Sequence, residues 1–301
     1  MSNTVIEINN LSKVYGSGTT GFKALDSLNL TVNQGEIFGY LGPNGAGKTT
    51  TIRMLLDLIR PTTGTATILG KDAQTDSIEL HRRIGFLPGE LGIWKNEKSI
   101  NIIKYVARLR GGVDMKYVNY LAEQFQFDMS KKVREYSTGN KRKLGLILAL
   151  MNKPELLILD EPTSGLDPLM QQTFHQLMAE HKNAGRTVFL SSHVLSEVQA
   201  ICDRVAILRN GELKAVESVE KLTHVEFRWI TVEFRDGVPD KQLFTTLSGV
   251  SDVDVNGKTA KMRLMGDIDP LLRVINDHYI VDLRANDPSL EDIFLAFYDD
   301  K

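Results

Sequence analysis

One stretch constrains this chain more than any other: Tyr40-Leu41-Gly42-Pro43-Asn44-Gly45-Ala46-Gly47-Lys48-Thr49-Thr50. Gly42 to Thr49 fits G-x-x-x-x-G-K-[ST]. The apolar run Glu36-Ile37-Phe38-Gly39-Tyr40-Leu41 precedes it and reads as a buried strand. Thr50 to Ile59 follows with helical spacing. Strand, glycine loop and helix, in that order, is the context this motif requires. Its glycines let backbone N–H groups turn toward phosphate oxygens, and the helix N-terminus adds partial positive charge. In such a loop Lys48 reaches the β- and γ-phosphates and the Thr49 hydroxyl binds Mg²⁺.

The chain has 301 residues, which on ordinary domain sizes suggests two domains. Lys and Arg number 36 against 38 Asp and Glu, a net charge of -2. That balance offers no polyanion-binding surface, so nucleic acid is not an expected partner. The single cysteine, Cys202, excludes an internal disulfide framework, fits a reducing compartment and is expected against an apolar helix face. Met1 to Ile8 has no basic region followed by an apolar stretch and does not read as a signal peptide. The most apolar run, Leu144 to Met151, is far shorter than the ~20 residues that span a bilayer. Work at a membrane would therefore go through a partner chain.

Alternation over Thr4–Asn9 and Lys23–Val32 predicts an antiparallel sheet beside the phosphate loop, with Tyr15 in a loop near Gly16 and Gly18. Thr65–Leu69 and Arg83–Leu87 read as strands, with a short helix over Asp76–Arg83. From Asn96 to about Tyr136 the spacing turns helical, and Gly111-Gly112 stops the first helix. Helices over Thr138–Met151, Pro168–Lys182 and Val194–Cys202 alternate with strands over Leu156–Leu159 and Thr187–Leu190. That alternation implies a parallel sheet. Asn210-Gly211 joins a hairpin of Arg204–Leu208 and Leu213–Val216. The fold class is α/β: a parallel core sheet, an antiparallel β subdomain and a helical subdomain at about 90–152, within a domain of residues 1–217. Residues 218–301 predict a second, α+β domain in the order β-α-β-β-α-β, the split arrangement of small ferredoxin-like domains. A last helix is expected over Ser289–Phe297.

The chemistry gathers around Asp160-Glu161, which ends the apolar run Leu156–Leu159. Beside a phosphate loop, Asp160 would hold Mg²⁺ and Glu161 would orient, or take a proton from, an attacking water. Tyr136-Ser137-Thr138-Gly139-Asn140 opens a helix, where Ser137 and the Gly139 backbone make a second anion site. Ser164-Gly165-Leu166-Asp167 follows the carboxylates, and Ser191-Ser192-His193 ends the next strand. Taken singly, Ser137 is a helix cap and His193 a surface residue. In this order they form a set.

The set resembles the ATP-binding subunit of ABC transporters over about residues 3–216. Gly42–Thr49 is similar to the Walker A, Leu156–Asp160 with Glu161 to the Walker B, and Ser137-Thr138-Gly139-Asn140 to the signature. Ser164–Asp167 is similar to the D-loop and His193 to the switch histidine. The resemblance implies a two-lobed ATPase that needs ATP and Mg²⁺ and closes head to tail with a second copy, or with a paralogous ATPase. Each ATP would lie between the Walker A of one subunit, residues Gly42, Pro43, Asn44, Gly45, Ala46, Gly47, Lys48, Thr49 and Thr50, and Ser137 and Gly139 of the other. It further implies Tyr15 on the adenine, Thr49 and Asp160 on Mg²⁺, Lys48 on phosphate, Glu161 on water and His193 on the γ-phosphate. The remaining partner is an integral membrane permease, which places the chain on the cytoplasmic face of the cell membrane.

Two features depart from the family pattern. The signature reads Tyr136-Ser137-Thr138-Gly139-Asn140 where Leu-Ser-Gly-Gly-Gln is usual. The loop glutamine that normally follows Leu-Pro is Gly89, and Glu90, one place on, is the candidate to approach Mg²⁺. Leu91-Gly92-Ile93-Trp94 fits two roles, a contact for a permease coupling helix or packing in the helical lobe. The tail Pro288-Ser289-Leu290-Glu291-Asp292-Ile293-Phe294 resembles that of exporter ATPases of the bacitracin and drug-resistance type. Two rivals are disfavoured. ABC ATPases acting on ribosomes or DNA carry two nucleotide domains or a long insertion. Other P-loop kinases and GTPases leave the signature and His193 without a role.

Overall fold

β1 (Thr4–Tyr15) and β2 (Phe22–Asn33) pair antiparallel at the start of the chain. Ile6, Ile8 and Leu11 of one and Leu25, Leu28 and Leu30 of the other are buried. β1 is longer than the expected Thr4–Asn9 strand. Asn10 takes a φ of 48°, and the register slips between Ile8 and Leu11. That bulge breaks the two-residue alternation while pairing continues beyond it. Tyr15 therefore closes a strand opposite Phe22 instead of lying in a loop, and Gly18 lies outside the described residues. The structure is a computed structural model that describes residues 4–16, 21–223 and 227–286.

β3 (Ile37–Leu41) is buried along its length and leads through the phosphate loop into α1 (Lys48–Leu55). The helix stops short of the expected Ile59 because Asp57 takes a φ of 54°, incompatible with another helical turn. β4 (Thr63–Ile68) and β5 (Lys71–Asp72) complete an antiparallel sheet in the order β2-β1-β4-β5. α2 (Ser77–Arg83) runs into β6 (Ile84–Leu87). The helical insert holds α3 (Ser99–Leu109), α4 (Met115–Gln124) and α5 (Thr138–Leu150). Gly111 and Gly112, at φ 83° and 109°, turn the chain out of α3.

β7 (Leu156–Asp160), α6 (Pro168–Asn183), β8 (Thr187–Ser192), α7 (Leu195–Ile201), β9 (Arg204–Arg209) and β10 (Glu212–Ser218) follow. The central sheet is ordered β10-β9-β3-β8-β7-β6, parallel from β9 to β6 and antiparallel at β10. Every residue of β3, β7 and β8 is buried, as a parallel sheet covered on both faces requires. Each fully buried Leu, Ile or Phe there stabilises the fold by about 1.5–3 kcal/mol. Gly39 lets α7 approach β3, since a Cβ on it would lie 2.8 Å from Val198 Cγ1 and 3.1 Å from Cys202 Sγ. Cys202 is buried just past α7, and burial pushes its thiol pKa up. The register sets Leu41 beside Ser192, and Asp160 beside Ser191, with Leu87 next to Leu159. The loops that leave these strands therefore share one edge of the sheet, where open α/β sheets bind ligands.

By internal contacts the chain divides between Val219 and Glu220. The short helix α8 (Val219–Thr223) spans that point. The second unit holds β11 (Phe227–Phe234), α9 (Lys241–Thr245), β12 (Val250–Asn256), β13 (Thr259–Met265), α10 (Asp269–Ile275) and β14 (Ile280–Asn286). Its antiparallel sheet is ordered β12-β13-β11-β14, so both helices cross between strands that are not neighbours. Ile230, Val232, Phe234, Phe244 and Met262 form its core. The tail Pro288–Phe294 and the helix expected over Ser289–Phe297 lie outside the described residues.

Candidate functional site

The phosphate loop leaves β3 with Gly42 N–H donating to Ser192 O at 3.2 Å. Gly45 and Gly47 take φ of 82° and 105°, conformations open to glycine. A Cβ on Gly47 would also lie 2.5 Å from Ala24 O. α1 starts with no side-chain cap, so its first N–H groups face the loop. Lys48 is only 6% exposed. Its Nζ donates to Gly42 O at 2.5 Å and Pro43 O at 3.2 Å, and lies 3.5 Å from Glu161 Oε1. The two carbonyls accept hydrogen bonds from the ammonium, and the carboxylate pairs with its charge. Tyr40 ties β3 to α1, its hydroxyl 3.1 Å from Thr51 Oγ1.

At the end of β7, Asp160 is 2% exposed and both of its oxygens accept hydroxyl hydrogens. Thr49 Oγ1 donates to Oδ2 at 2.9 Å and Ser191 Oγ donates to Oδ1 at 2.5 Å. The hydroxyl and carboxylate oxygens are the donor type that Mg²⁺ selects. Glu161 follows with a φ of 54°, a left-handed conformation for a residue with a side chain. Its N–H donates to Ser191 O at 3.2 Å and to Ser191 Oγ at 3.1 Å. Its Oε2 lies 2.5 Å from His193 Nδ1. Thr163 Oγ1 and Ser192 Oγ both donate to Glu197 on α7, bracing the segments on either side of that pair.

Ser137 caps α5, accepting from Asn140 N–H at 3.3 Å, so the local reading of this serine describes it within one chain. Gly139 packs on the Gly165 backbone, where a Cβ would lie 2.5 Å from Gly165 O. Asp167 caps α6 through Met170 N–H at 3.0 Å. Arg142, on α5, is 7% exposed. Its guanidinium donates to Pro88 O and to Glu161 O, each at 2.7 Å. Burial draws its pKa below the ordinary arginine value, and the Asp160 and Glu161 carboxylates oppose that shift.

A cleft of about 320 Å³ gathers Pro43 to Thr50 with Tyr15, Phe22, Ala24, Gly89, Asp160 and Glu161. Gly42 underlies it through the Lys48 contact, and Ser137 and Gly139 are not part of its lining. Tyr15 is 41% and Phe22 63% exposed at its mouth. An adjoining cleft brings exposed Glu90 to the same side as Thr49, Gly89 and Asp160. A Cβ on Gly89 would be 3.1 Å from Asp160 Oδ2.

The family model for ABC transporters matches residues 25–164. A bacitracin transport ATP-binding protein of Bacillus licheniformis is 42% identical over 216 residues, covering 70% of this chain and 68% of the relative. One of Enterococcus faecalis is 32% identical over 298 residues, covering 96% of this chain and 95% of the relative. The chain belongs to the ATP-binding subunits of ABC transporters. A solved ATP-binding subunit of an ABC transporter superposes on this ABC ATPase with a TM-score of 0.66 and 28% identity, covering 72% of this chain and 91% of that one. Among the described residues no helix is long and apolar enough to cross a membrane.

Four residues of this ABC ATPase site escaped the sequence reading: Phe22, Arg142, Ser191 as a partner of Asp160, and Glu197. Arg142 left a legible signal. It shares an α5 stripe with buried Gly145, Leu146 and Ala149, and a cation on an apolar stripe needs a built partner. Phe22 left none, because its role depends on the β1–β2 register that sets it opposite Tyr15.

Proposed function

We propose that this ABC ATPase drives an exporter whose membrane-spanning part is a separate permease, with bacitracin-like peptide antibiotics and drugs as the substrate class. The names of its relatives support that class. One observation carries the mechanism: Lys48, Thr49, Asp160, Glu161 and His193 converge at one sheet edge, while the Ser137–Gly139 end of α5 stays out of the cleft. Half of the nucleotide site is thus built within one chain, and a second copy or a paralogue supplies Ser137 and Gly139 head to tail. Closure then depends on ATP, whose γ-phosphate adds contacts only in the closed state. The chain works at the cytoplasmic face of the membrane. Residues 218–301 act as an accessory dimerisation or regulatory domain to the nucleotide-binding domain of residues 1–217.

Lys48 exchanges the Gly42 and Pro43 carbonyls and the Glu161 carboxylate for phosphate oxygens. The loop amides and the α1 N-terminus take the remaining phosphate charge, and Tyr15 stacks on the adenine. Glu161, released from Lys48, orients the attacking water and takes its proton. His193 holds the Glu161 carboxylate and meets the γ-phosphate. Thr49 and Asp160, with Glu90 at the rim, would hold Mg²⁺, which supplies charge neutralisation between the phosphates.

Replacing Glu161 by Gln tests this reading. Turnover is expected to drop by about 100-fold or more, the range of a lost general base. ATP should then hold the protein as a dimer on size-exclusion chromatography with light scattering. Hydrolysis by Glu161→Gln at the wild-type rate refutes the catalytic assignment. Transport of bacitracin by the reconstituted ATPase and permease tests the substrate class.

A further inference from the structure

We infer that Arg142 is a positioning residue that locks Glu161 and the Pro88-Gly89 loop to the signature helix. The inference rests on the reading of Glu161 as the group that handles the attacking water.

A buried guanidinium is unfavourable unless its donors are used. Arg142 places two of its five N–H donors on backbone carbonyls, Pro88 O and Glu161 O, both at 2.7 Å. Both acceptors are backbone carbonyls, so the contact is a pair of charge-assisted hydrogen bonds to main chain and not an ion pair between side chains. It fixes the backbone of two loops that leave neighbouring strands, β6 and β7.

The Glu161 end explains why fixing is needed. Its φ of 54° is a conformation that persists only where the surroundings over-determine it. From the amino side its N–H is held by Ser191. From the carbonyl side it is held by Arg142 and by Ser164 N–H at 3.2 Å. The peptide on either side of the Glu161 Cα is thus clamped, and the carboxylate is aimed between Lys48 and His193. Without Arg142, Ser164 alone restrains the carbonyl, and the strained residue is free to relax away from that aim.

The Pro88 end supplies what position 89 lacks. Gly89 faces Asp160 but carries no side chain to link its loop to the carboxylates. The Arg142 fork spans from the loop to Glu161 from the α5 side. Because Ser137 caps the same helix, a partner's nucleotide arriving at the α5 N-terminus acts on a helix attached to the Glu161 backbone.

The test uses full-length Arg142→Gln and Arg142→Lys with steady-state ATP hydrolysis, titration with the fluorescent analogue TNP-ATP, and thermal melting. For Arg142→Gln, kcat is expected to fall roughly 10- to 100-fold, the scale of a misplaced catalytic group. The TNP-ATP dissociation constant should stay within about twofold, since the Arg142 hydrogen bonds go to Pro88 and Glu161 and not to the phosphate loop. Arg142→Lys should recover only part of kcat, because an ammonium lacks the planar fork that reaches both carbonyls. A purely structural role predicts loss of kcat in proportion to the folded fraction, or a parallel loss of TNP-ATP affinity, and either result overturns the inference. So does a wild-type kcat in a folded variant. Where Arg142→Gln does not fold, the same split in Arg142→Lys decides. Glu161→Gln, assayed beside them, separates the two failures. Wild-type turnover in that variant removes the Glu161 reading and this inference with it. Its loss, together with wild-type turnover in Arg142→Gln, removes the positioning role alone.

Discussion

His193 Nδ1 lies 2.5 Å from Glu161 Oε2, while the other oxygen of that carboxylate faces Lys48 Nζ at 3.5 Å. The carboxylate is therefore held between two nitrogen donors, one buried and one half-exposed. On the proposed mechanism ATP takes over Lys48, and His193 is then the contact that keeps Glu161 aimed. His193→Ala is expected to lower kcat by about 100-fold and to leave ATP affinity close to that of the wild type. Steady-state hydrolysis with a separate TNP-ATP titration checks this, and a kcat within about twofold of wild type would separate His193 from the chemistry.

Tyr15 and Phe22 face each other across the β1–β2 ladder at the mouth of the cleft beside the phosphate loop. Lys13 Nζ lies 5.2 Å from the Tyr15 ring and shares its face. An aromatic stack contributes about 0.5–1.5 kcal/mol beyond area burial, so Tyr15→Ala should weaken ATP roughly 2- to 13-fold. Phe22→Ala should weaken it less, since its ring is the more exposed. Unchanged TNP-ATP affinity in the Tyr15 variant would remove the adenine platform from this site.

Gly89 has no left-handed φ, and its absent side chain would point at Asp160 with nothing else in the way. A Cβ there would lie 3.1 Å from Asp160 Oδ2, so a glutamine fits once that carboxylate gives by a few tenths of an ångström. Gly89→Gln is expected to lower the Mg²⁺ concentration that half-saturates ATP hydrolysis, because its amide oxygen adds a donor beside Asp160 and Thr49. Glu90→Ala should raise that concentration if the rim carboxylate contributes. A Mg²⁺ titration of both variants apportions the role between the two positions. No change in either would place the metal with Thr49 and Asp160 alone.

Most of the first unit was legible because its signals are local. Buried parallel strands read as unbroken apolar runs, as at Leu156–Leu159, and glycines mark where a helix must stop, as at Gly111. The phosphate loop was legible because a few residue types at fixed spacing are needed to wrap an anion. Errors came where geometry overrode pattern. The Asn10 bulge hid the second half of β1, and the left-handed Asp57 ended α1 early. Arg142, Ser191 and Glu197 act through partners distant in sequence, Pro88 and Glu161, Asp160, and Thr163 respectively. No single-sequence pattern encodes such pairings, although a charge on a buried helix stripe flags that one exists.

His181 offers a test of stability independent of the nucleotide site. It lies on α6, is 3% exposed, and neither ring nitrogen has a hydrogen-bond partner among the described residues. Burial, with the Arg186 charge adding to it, pushes its pKa down to about 4. The unfolded chain restores an ordinary histidine near pH 6.5, so the native state binds fewer protons below that value. Its contribution to stability is therefore whole above about pH 6.5 and is lost progressively as the pH falls toward 4. By pH 5 the loss amounts to about 2 kcal/mol. His175, on the same helix, is shifted downward by burial as well and adds in the same direction. Urea unfolding at pH 7.5 and pH 5 should show a lower midpoint in acid, and His181→Met, close in volume and without a titrating group, should reduce that difference. An equal acid-induced shift in both proteins would mean that His181 titrates alike in the folded and unfolded chain.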